Sequence, residues 1–347
     1  MPRSYVDVFN LFDFLWPENT PISDEIKRAI QIAEEKKDHQ LVKVRLDETI
    51  GALFYRVRKK DLGLIPPVFH PPIEIPMNQQ ERFIYDAIVK KIRHFSKEDY
   101  IKNIDLIIKL QKGRIMRLRQ CVSYVKLLTT AIENYSEDLV EGDMKLRKII
   151  LDYDNMESPA KLEYLDKIVV KLLNKKKKVV IWANFIKTLE LIKKHLSKRG
   201  FYCELIYGKT PTEQTSIREE LTREKIRDKF VQPDSGLDIL IANPAACAES
   251  ISLHKTCFHA IYYDLSYNCA QYLQSLDRIH RVGGSEINEA NYYFLQYVNT
   301  IDQDIKKNLD EKARKMNAVI EEDYGIYSLD MFEEDGDIQA YERLFAK

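Results

Sequence analysis

Gln274, Arg278 and Arg281 are the residues of this sequence best placed to do chemistry. They stand at i, i+4 and i+7, offsets that share one face of an α-helix. Two guanidiniums on one face make a planar, permanently charged clamp of the kind used in phosphate recognition. Gly283-Gly284, a helix stop, comes next. Before them an apolar run closed by an acid, Ala260 to Asp264, reads as a buried strand. The spacing therefore places the clamp just beyond a strand end, where α/β folds bind ligands. It also fits an amphipathic surface helix with two solvated arginines, because Arg is mostly an exposed residue.

Two other stretches imitate phosphate chemistry. Gly208-Lys209-Thr210 looks like the end of a P-loop, but that loop needs a glycine five positions before its second one. Position 203 is Cys, and Cys203–Tyr207 reads as strand. Ile261–Asp264 imitates a Walker B strand; with no P-loop beside it, Asp264 reads as a cap on the following turn. Five scattered cysteines (Cys121, Cys203, Cys247, Cys257 and Cys269) form no CxxC or Cys/His cluster, so no metal site is expected.

These residues need elements to hold them. The 347 residues are 45% hydrophobic and 31% charged, the composition of an ordinary globular protein. Net charge is zero, so any nucleic-acid site is a local patch. No apolar run is long enough to span a membrane, and Asp7 and Asp13 interrupt what could pass for a signal peptide. The expectation is a reduced, cytoplasmic protein. Its wealth of Lys, Ile and Asn leans towards a bacterial or viral source.

Residues 18 to about 175 read as mostly helical, over Ile22–Lys37, Gln79–Phe95, Lys97–Leu110 and Gly113–Glu133. Before them Val8, Leu11, Phe12 and Leu15 can form one apolar helix face that Pro17 ends. A basic cluster, Arg56, Arg58, Lys59 and Lys60, precedes a proline break and a short extended segment at Val68–Pro76. It fits a solvated turn or a phosphate-contacting patch. Ser158-Pro159 reads as N-cap and first residue of a helix running to Asn174. From Lys178 the pattern changes. Apolar strands at Val179–Ala183, Tyr202–Tyr207, Leu237–Ala242, Ala260–Asp264 and Asn291–Tyr297 alternate with helices at Phe185–Lys198, Thr212–Phe230, Cys269–Arg281 and Thr300–Ile320. Such alternation means an α/β fold with a doubly wound parallel sheet. Ser328–Lys347 is acidic with scattered aromatics.

The block Asp264-Leu-Ser-Tyr-Asn268, Gln274 and Asp277-Arg278-Ile-His280-Arg281-Val-Gly283 closely resembles the sixth helicase motif of the Swi/Snf-type DNA-dependent ATPases, duplex translocases of helicase superfamily two. It departs at Cys269, usually Pro there, and at Gly284, usually Gln. Asn243 to Leu253 occupies the place of the fifth motif, with Cys247, Ala248 and Ser250 standing for the usual glycines. Leu118-Arg119-Gln120 and Thr300-Ile301-Asp302 also match family segments. The N-terminal helix ending in Leu-Trp-Pro is similar to the family's segment just after the third motif, so the chain is expected to begin inside that motif. The resemblance covers Met1 to about Ile320.

The resemblance implies a RecA-like second motor lobe. Residues 1–157 would be a helical linker and protrusion region, 158–325 the lobe, and 326–347 an acidic tail. Arg281 would be the arginine finger with Arg278 beside it, and Gln274, Glu249 and Ser250 would belong to the ATP site. Lys209, Thr210, Asn184, Asn243 and Arg58 would be candidate contacts to the duplex DNA backbone. An absent N-terminal lobe would bring the P-loop lysine and hold Mg²⁺, so this chain alone is expected not to hydrolyse ATP. A non-catalytic nucleic-acid or protein-binding module, and a lobe of a strand-separating helicase, are the alternatives.

Overall fold

The computed structural model describes residues 5–36, 38–53, 59–98, 104–132, 140, 143–213, 221–247, 251–321 and 336–345. By compactness the chain forms two units, Met1–Gly63 with Asp310–Glu333, and Leu64–Leu309 with Glu334–Lys347.

The first unit holds α1 (Tyr5–Leu15), α2 (Asp24–Glu35) and α3 (His39–Ile50). Pro17 comes just after the end of α1, as expected. The side of α1 that packs is not the expected one, however. Phe9 and Phe12 enter a core with Ile22, Ile30, Ala33, Val42, Leu46 and Ile50, while Leu11 and Leu15 stay half exposed. Helix α3 is an addition to the expected set, its buried side built from Val42, Leu46 and Ile50, each one turn from the next.

The second unit is organised by a parallel sheet. Its strands are β1 (Val68–Phe69), β2 (Ile73–Ile75), β3 (Lys178–Trp182), β4 (Cys203–Ile206), β5 (Ile239–Ala242), β6 (Cys257–Tyr262) and β7 (Asn291–Tyr297). They run in the order β1-β7-β6-β3-β5-β4, and β2 also pairs with β7. Every pairing is parallel. β3 and β5 are buried along their whole length, which is why they read as unbroken apolar runs. The expected doubly wound α/β fold is present, and β1 and β2 come from the segment read as extended at Val68–Pro76.

Helices α4 (Gln79–Glu98), α5 (Ile104–Ser123) and α6 (Met144–Met156) precede the main run of strands. Where two helices broken near Gly113 are expected, α5 is one. Gly113 lies inside it, among the buried Leu110, Ile115 and Leu118. Their packing outweighs the ~1 kcal/mol that glycine costs a helix. Helices α7 (Ala160–Leu173), α8 (Ile186–Lys198), α9 (Arg223–Val231), α10 (Pro244–Cys247), α11 (Cys269–Leu276) and α12 (Ile301–Glu321) alternate with the strands. Of the helix expected over Thr212–Phe230, residues 214–220 lie outside the described set; α9 begins where the Thr222 hydroxyl accepts the Lys225 N–H at 3.3 Å. A last helix, α13 (Gly336–Phe345), lies where the sequence reads only as an acidic tail. It packs on α5: Arg114, fully buried, donates to the Tyr341 hydroxyl at 2.7 Å.

The start of α7 is held in an unexpected way. Ser158 is not its cap. Pro159 is the cap residue and offers no side-chain bond. The Ala160 N–H instead donates to Glu81 of α4 at 3.3 Å. Glu81 also takes the Asn78 N–H at 3.0 Å, the reach-back of a capping box, and the Tyr297 hydroxyl at 2.5 Å. Beside it Lys161, fully buried, pairs with Asp302 at 2.7 Å and lies over the Tyr297 ring. Burial raises the Glu81 and Asp302 carboxyls above their ordinary range. One polar knot thus ties α4, α7, β7 and the start of α12.

Candidate functional site

The helix expected over Cys269–Arg281 ends at Leu276. Asn268 caps its start, accepting the Gln271 N–H at 2.9 Å. At its end the Arg278 N–H bonds the Ser275 carbonyl at 3.2 Å and the Ile279 N–H bonds that of Leu276 at 3.4 Å. These i→i+3 bonds tighten the last turn instead of extending the helix. Gln274 is exposed on α11, but Arg278 and Arg281 lie past the helix and do not share a face with it.

Nor does the arginine segment lie beyond the end of a strand. Helix α11 runs back along the sheet, so that the Leu276 carbonyl accepts the hydroxyl of Tyr292, near the start of β7, at 2.6 Å. The Arg278 carbonyl accepts the Leu253 N–H at 3.0 Å, just ahead of β6. Both arginines are therefore at the edge where the strands begin.

Their surroundings differ. Arg278 is buried and donates to the Ile251 carbonyl at 3.3 Å. Arg281 is exposed, its guanidinium 3.1 Å from the Ser252 hydroxyl. Between them His280 is buried and donates from Nε2 to the Ile65 carbonyl at 3.0 Å, while the Ile65 N–H returns to Ser285 at 2.8 Å. The loop then turns at Gly283, whose φ is +93°. Gly283 and Gly284 give their N–H groups to Glu286 at 2.8 Å each. The Gly283 N–H is the main reason this carboxyl lies below its usual range. Gly284 presses on the chain at His254: a Cβ here would run into the His254 carbonyl. Burial, and then the Arg281 charge, hold His254 below the ordinary imidazole range. Glu249 and Ser250, expected in the ATP site, lie outside the described residues.

The opposite edge, where strands end, carries the other candidates. Asp264 is buried and does not cap its own turn. It accepts the Asn184 N–H and side-chain amide at 2.7 Å each, and the Ser123 hydroxyl. The Asn243 amide donates to the Asn184 carbonyl at 2.6 Å, and its Oδ1 accepts the Ala245 N–H at 2.9 Å. Both asparagines are thus turned inward, tying together the ends of β3, β5 and β6. Thr210 is also turned inward; it is buried, and its hydroxyl accepts the Tyr207 N–H at 3.0 Å. Lys209 is exposed on the same loop. Arg58 lies outside the described residues.

One residue at this edge does not stand out in the sequence. Arg223 opens α9 and donates to the carbonyls of Thr210 (3.0 Å), Gly208 (2.9 Å), Tyr207 (3.1 Å) and Ala246 (3.4 Å). The signal that could have exposed it is a cation in the first turn of a helix, where the helix dipole disfavours positive charge.

A family model described as helicase conserved C-terminal domain matches residues 160–283. Protein CHROMATIN REMODELING 5 of Arabidopsis thaliana is 24% identical over 91% of this chain, and Chromodomain-helicase-DNA-binding protein 6 of Homo sapiens is 26% identical over 82%. The chain spans only 17% and 10% of those proteins' lengths. These relatives come from a plant and an animal and lend no support to a bacterial or viral source. In fold, the crystal structure of the C-terminal part of the Fun30 ATPase domain is similar, with a TM-score of 0.53 at 20% identity, over 82% of this chain and 99% of that one. Among the described residues no helix is long and apolar enough to cross a membrane. The chain therefore carries a helicase conserved C-terminal domain and is homologous to ATPases of the Swi2/Snf2 type.

Proposed function

We propose that this chain is the second motor lobe of a Swi/Snf-like, ATP-driven duplex DNA translocase. Residues 158–325 would be the lobe and 1–157 the linker and protrusion region before it. The observation that carries the reading is Arg281: an exposed guanidinium, held at its base by the Ser285 hydroxyl on its N–H (3.1 Å) and at its tip by Ser252. A partner lobe would bind the nucleotide and supply the phosphate-binding lysine. This chain's part is to bring Arg281 to the transferred phosphoryl group, where a guanidinium neutralises developing charge. Arg278 does not face that cleft; it fixes the 251–253 strip on which the Arg281 side chain rests. The partner lobe would also hold the Mg²⁺ that bridges the nucleotide phosphates. Duplex DNA would lie at the edge where strands end, its backbone met by Lys209 without sequence preference.

The test is the reconstituted two-lobe protein with Ala or Lys at 281. An arginine finger is worth roughly a thousand- to a hundred-thousand-fold in rate, about 4–7 kcal/mol of barrier. We expect Arg281→Ala to lose that much turnover with an unchanged melting temperature. Arg281→Lys should recover little, since it keeps the charge but loses the planar fork. A normal rate in well-folded Arg281→Ala protein would end the assignment.

A further inference from the structure

We infer that Arg223 is a positioning residue for DNA: it turns the 207–210 loop so that two backbone amides face the phosphodiester. The inference rests on the proposal that this loop meets DNA. Arg223 is partly buried, and its guanidinium is taken up by carbonyls. Three belong to Tyr207, Gly208 and Thr210, and the fourth, Ala246, lies in α10 after the neighbouring strand. Its own N–H is also engaged, with the Pro211 carbonyl at 2.9 Å. A guanidinium spread over four carbonyls is poorly placed to contact phosphate directly.

Peptide geometry sets the consequence. In a trans peptide the N–H points opposite to the C=O of the same plane. With the Tyr207 and Gly208 carbonyls drawn to Arg223, the N–H groups of Gly208 and Lys209 point away from it. Neither makes a hydrogen bond among the described residues. The other two amides of the loop are spent internally: Tyr207 N–H on the Thr210 hydroxyl, and Thr210 N–H on the Tyr207 carbonyl at 3.0 Å. The loop therefore presents two adjacent donors beside the exposed Lys209 ammonium. That set suits one phosphate oxygen pair and reads no base. Through Ala246 the same guanidinium also fixes this loop against the one after β5. Lysine could not replace it, because a single ammonium cannot span four carbonyls on two loops.

The test is the binding of the whole chain to two unrelated DNA duplexes, measured by fluorescence anisotropy across a salt series. Arg223→Lys should bind both duplexes roughly tenfold more weakly, as expected for the loss of about one hydrogen bond to a charged group. Its salt slope should match the parent's, because neutral amides release no counterions. Lys209→Ala should weaken binding and lower the slope by about one. No heavy atom lies within 4 Å of a Cβ at 208, so Gly208→Ala should bind like the parent. Gly208→Pro, which deletes the N–H, should share the loss. Parental binding by folded Arg223→Lys, with Lys209→Ala weakened, overturns the inference alone. So does a slope lowered by one in Arg223→Gln, which removes the charge that Arg223→Lys keeps and would make it a direct contact. If Lys209→Ala and Gly208→Pro both bind like the parent, the loop is not the DNA site and the underlying reading fails. Should Arg223→Lys not fold, hydrogen exchange on the parent chain decides: Gly208 and Lys209 amides should exchange fast and become protected on adding DNA. Slow exchange at both in the free chain would overturn the inference.

Discussion

Arg278 and Arg281 are three residues apart yet do different work. Buried, Arg278 spends its carbonyl and its guanidinium on the 251–253 strip; exposed, Arg281 only leans on Ser252. The turn after them explains one departure from the family pattern. Position 284 has no room for the glutamine usual in the family, because the chain at His254 comes too close. Gly284→Ala is therefore expected to destabilise the protein by about 1–3 kcal/mol, the usual range for overpacking, or more if the backbone cannot shift. Urea unfolding measures it directly. A mutant as stable as the parent would mean the 254 and 284 backbones are further apart than described.

At the scale of elements, the knot of Glu81, Lys161, Tyr297 and Asp302 is the joint between helical region and sheet. Lys161→Met leaves Asp302 buried and unpaired, which should cost roughly 3–5 kcal/mol. Adding Asp302→Asn keeps an acceptor for the Tyr297 N–H, now at 2.9 Å from the carboxylate, and should restore most of that loss. Denaturation of both variants separates a charge-pairing role from simple packing, which would make the double mutant worse than the single. Strands β3 and β5 were legible because burial on both faces writes them as apolar runs. This joint was not, because its partners are separated by up to 216 residues. Nor was the end of α11 at Leu276. A three-residue spacing permits a helix, and it does not show that the Arg278 and Ile279 N–H groups close i→i+3 bonds or that the Arg278 carbonyl is taken by Leu253.

At the scale of the whole molecule, acid is expected to cost stability through His259 of β6. His259 and His70 both stack with the Tyr293 ring. Burial, helped by Lys177, His70 and Lys175, lowers the His259 pKa from 6.5 to about 4. A folded value below the unfolded one means the unfolded chain takes the proton first. The stability is thus complete above pH 6.5 and is lost as pH falls towards 4, by up to about 3 kcal/mol. His259→Phe should flatten this limb of the stability curve in thermal melts at pH 4.5 to 7.5. An unchanged limb would assign the acid sensitivity elsewhere. At this scale the parallel sheet also separates the two proposed sites. The arginine loop sits where strands begin and the Arg223 loops where they end.

Helix α13 has a consequence in time. Arg114 and Tyr341 are 227 residues apart in sequence. At a synthesis rate of about 5–20 residues per second, α5 waits roughly 11–45 s on the ribosome before its partner helix is made. During that interval Arg114 has no Tyr341 to accept its hydrogen bond, and the loop at Tyr267 lacks the close contact of Gly336. In that window the Arg114 side of α5 is open to proteases and to wrong partners, and α13 closes it.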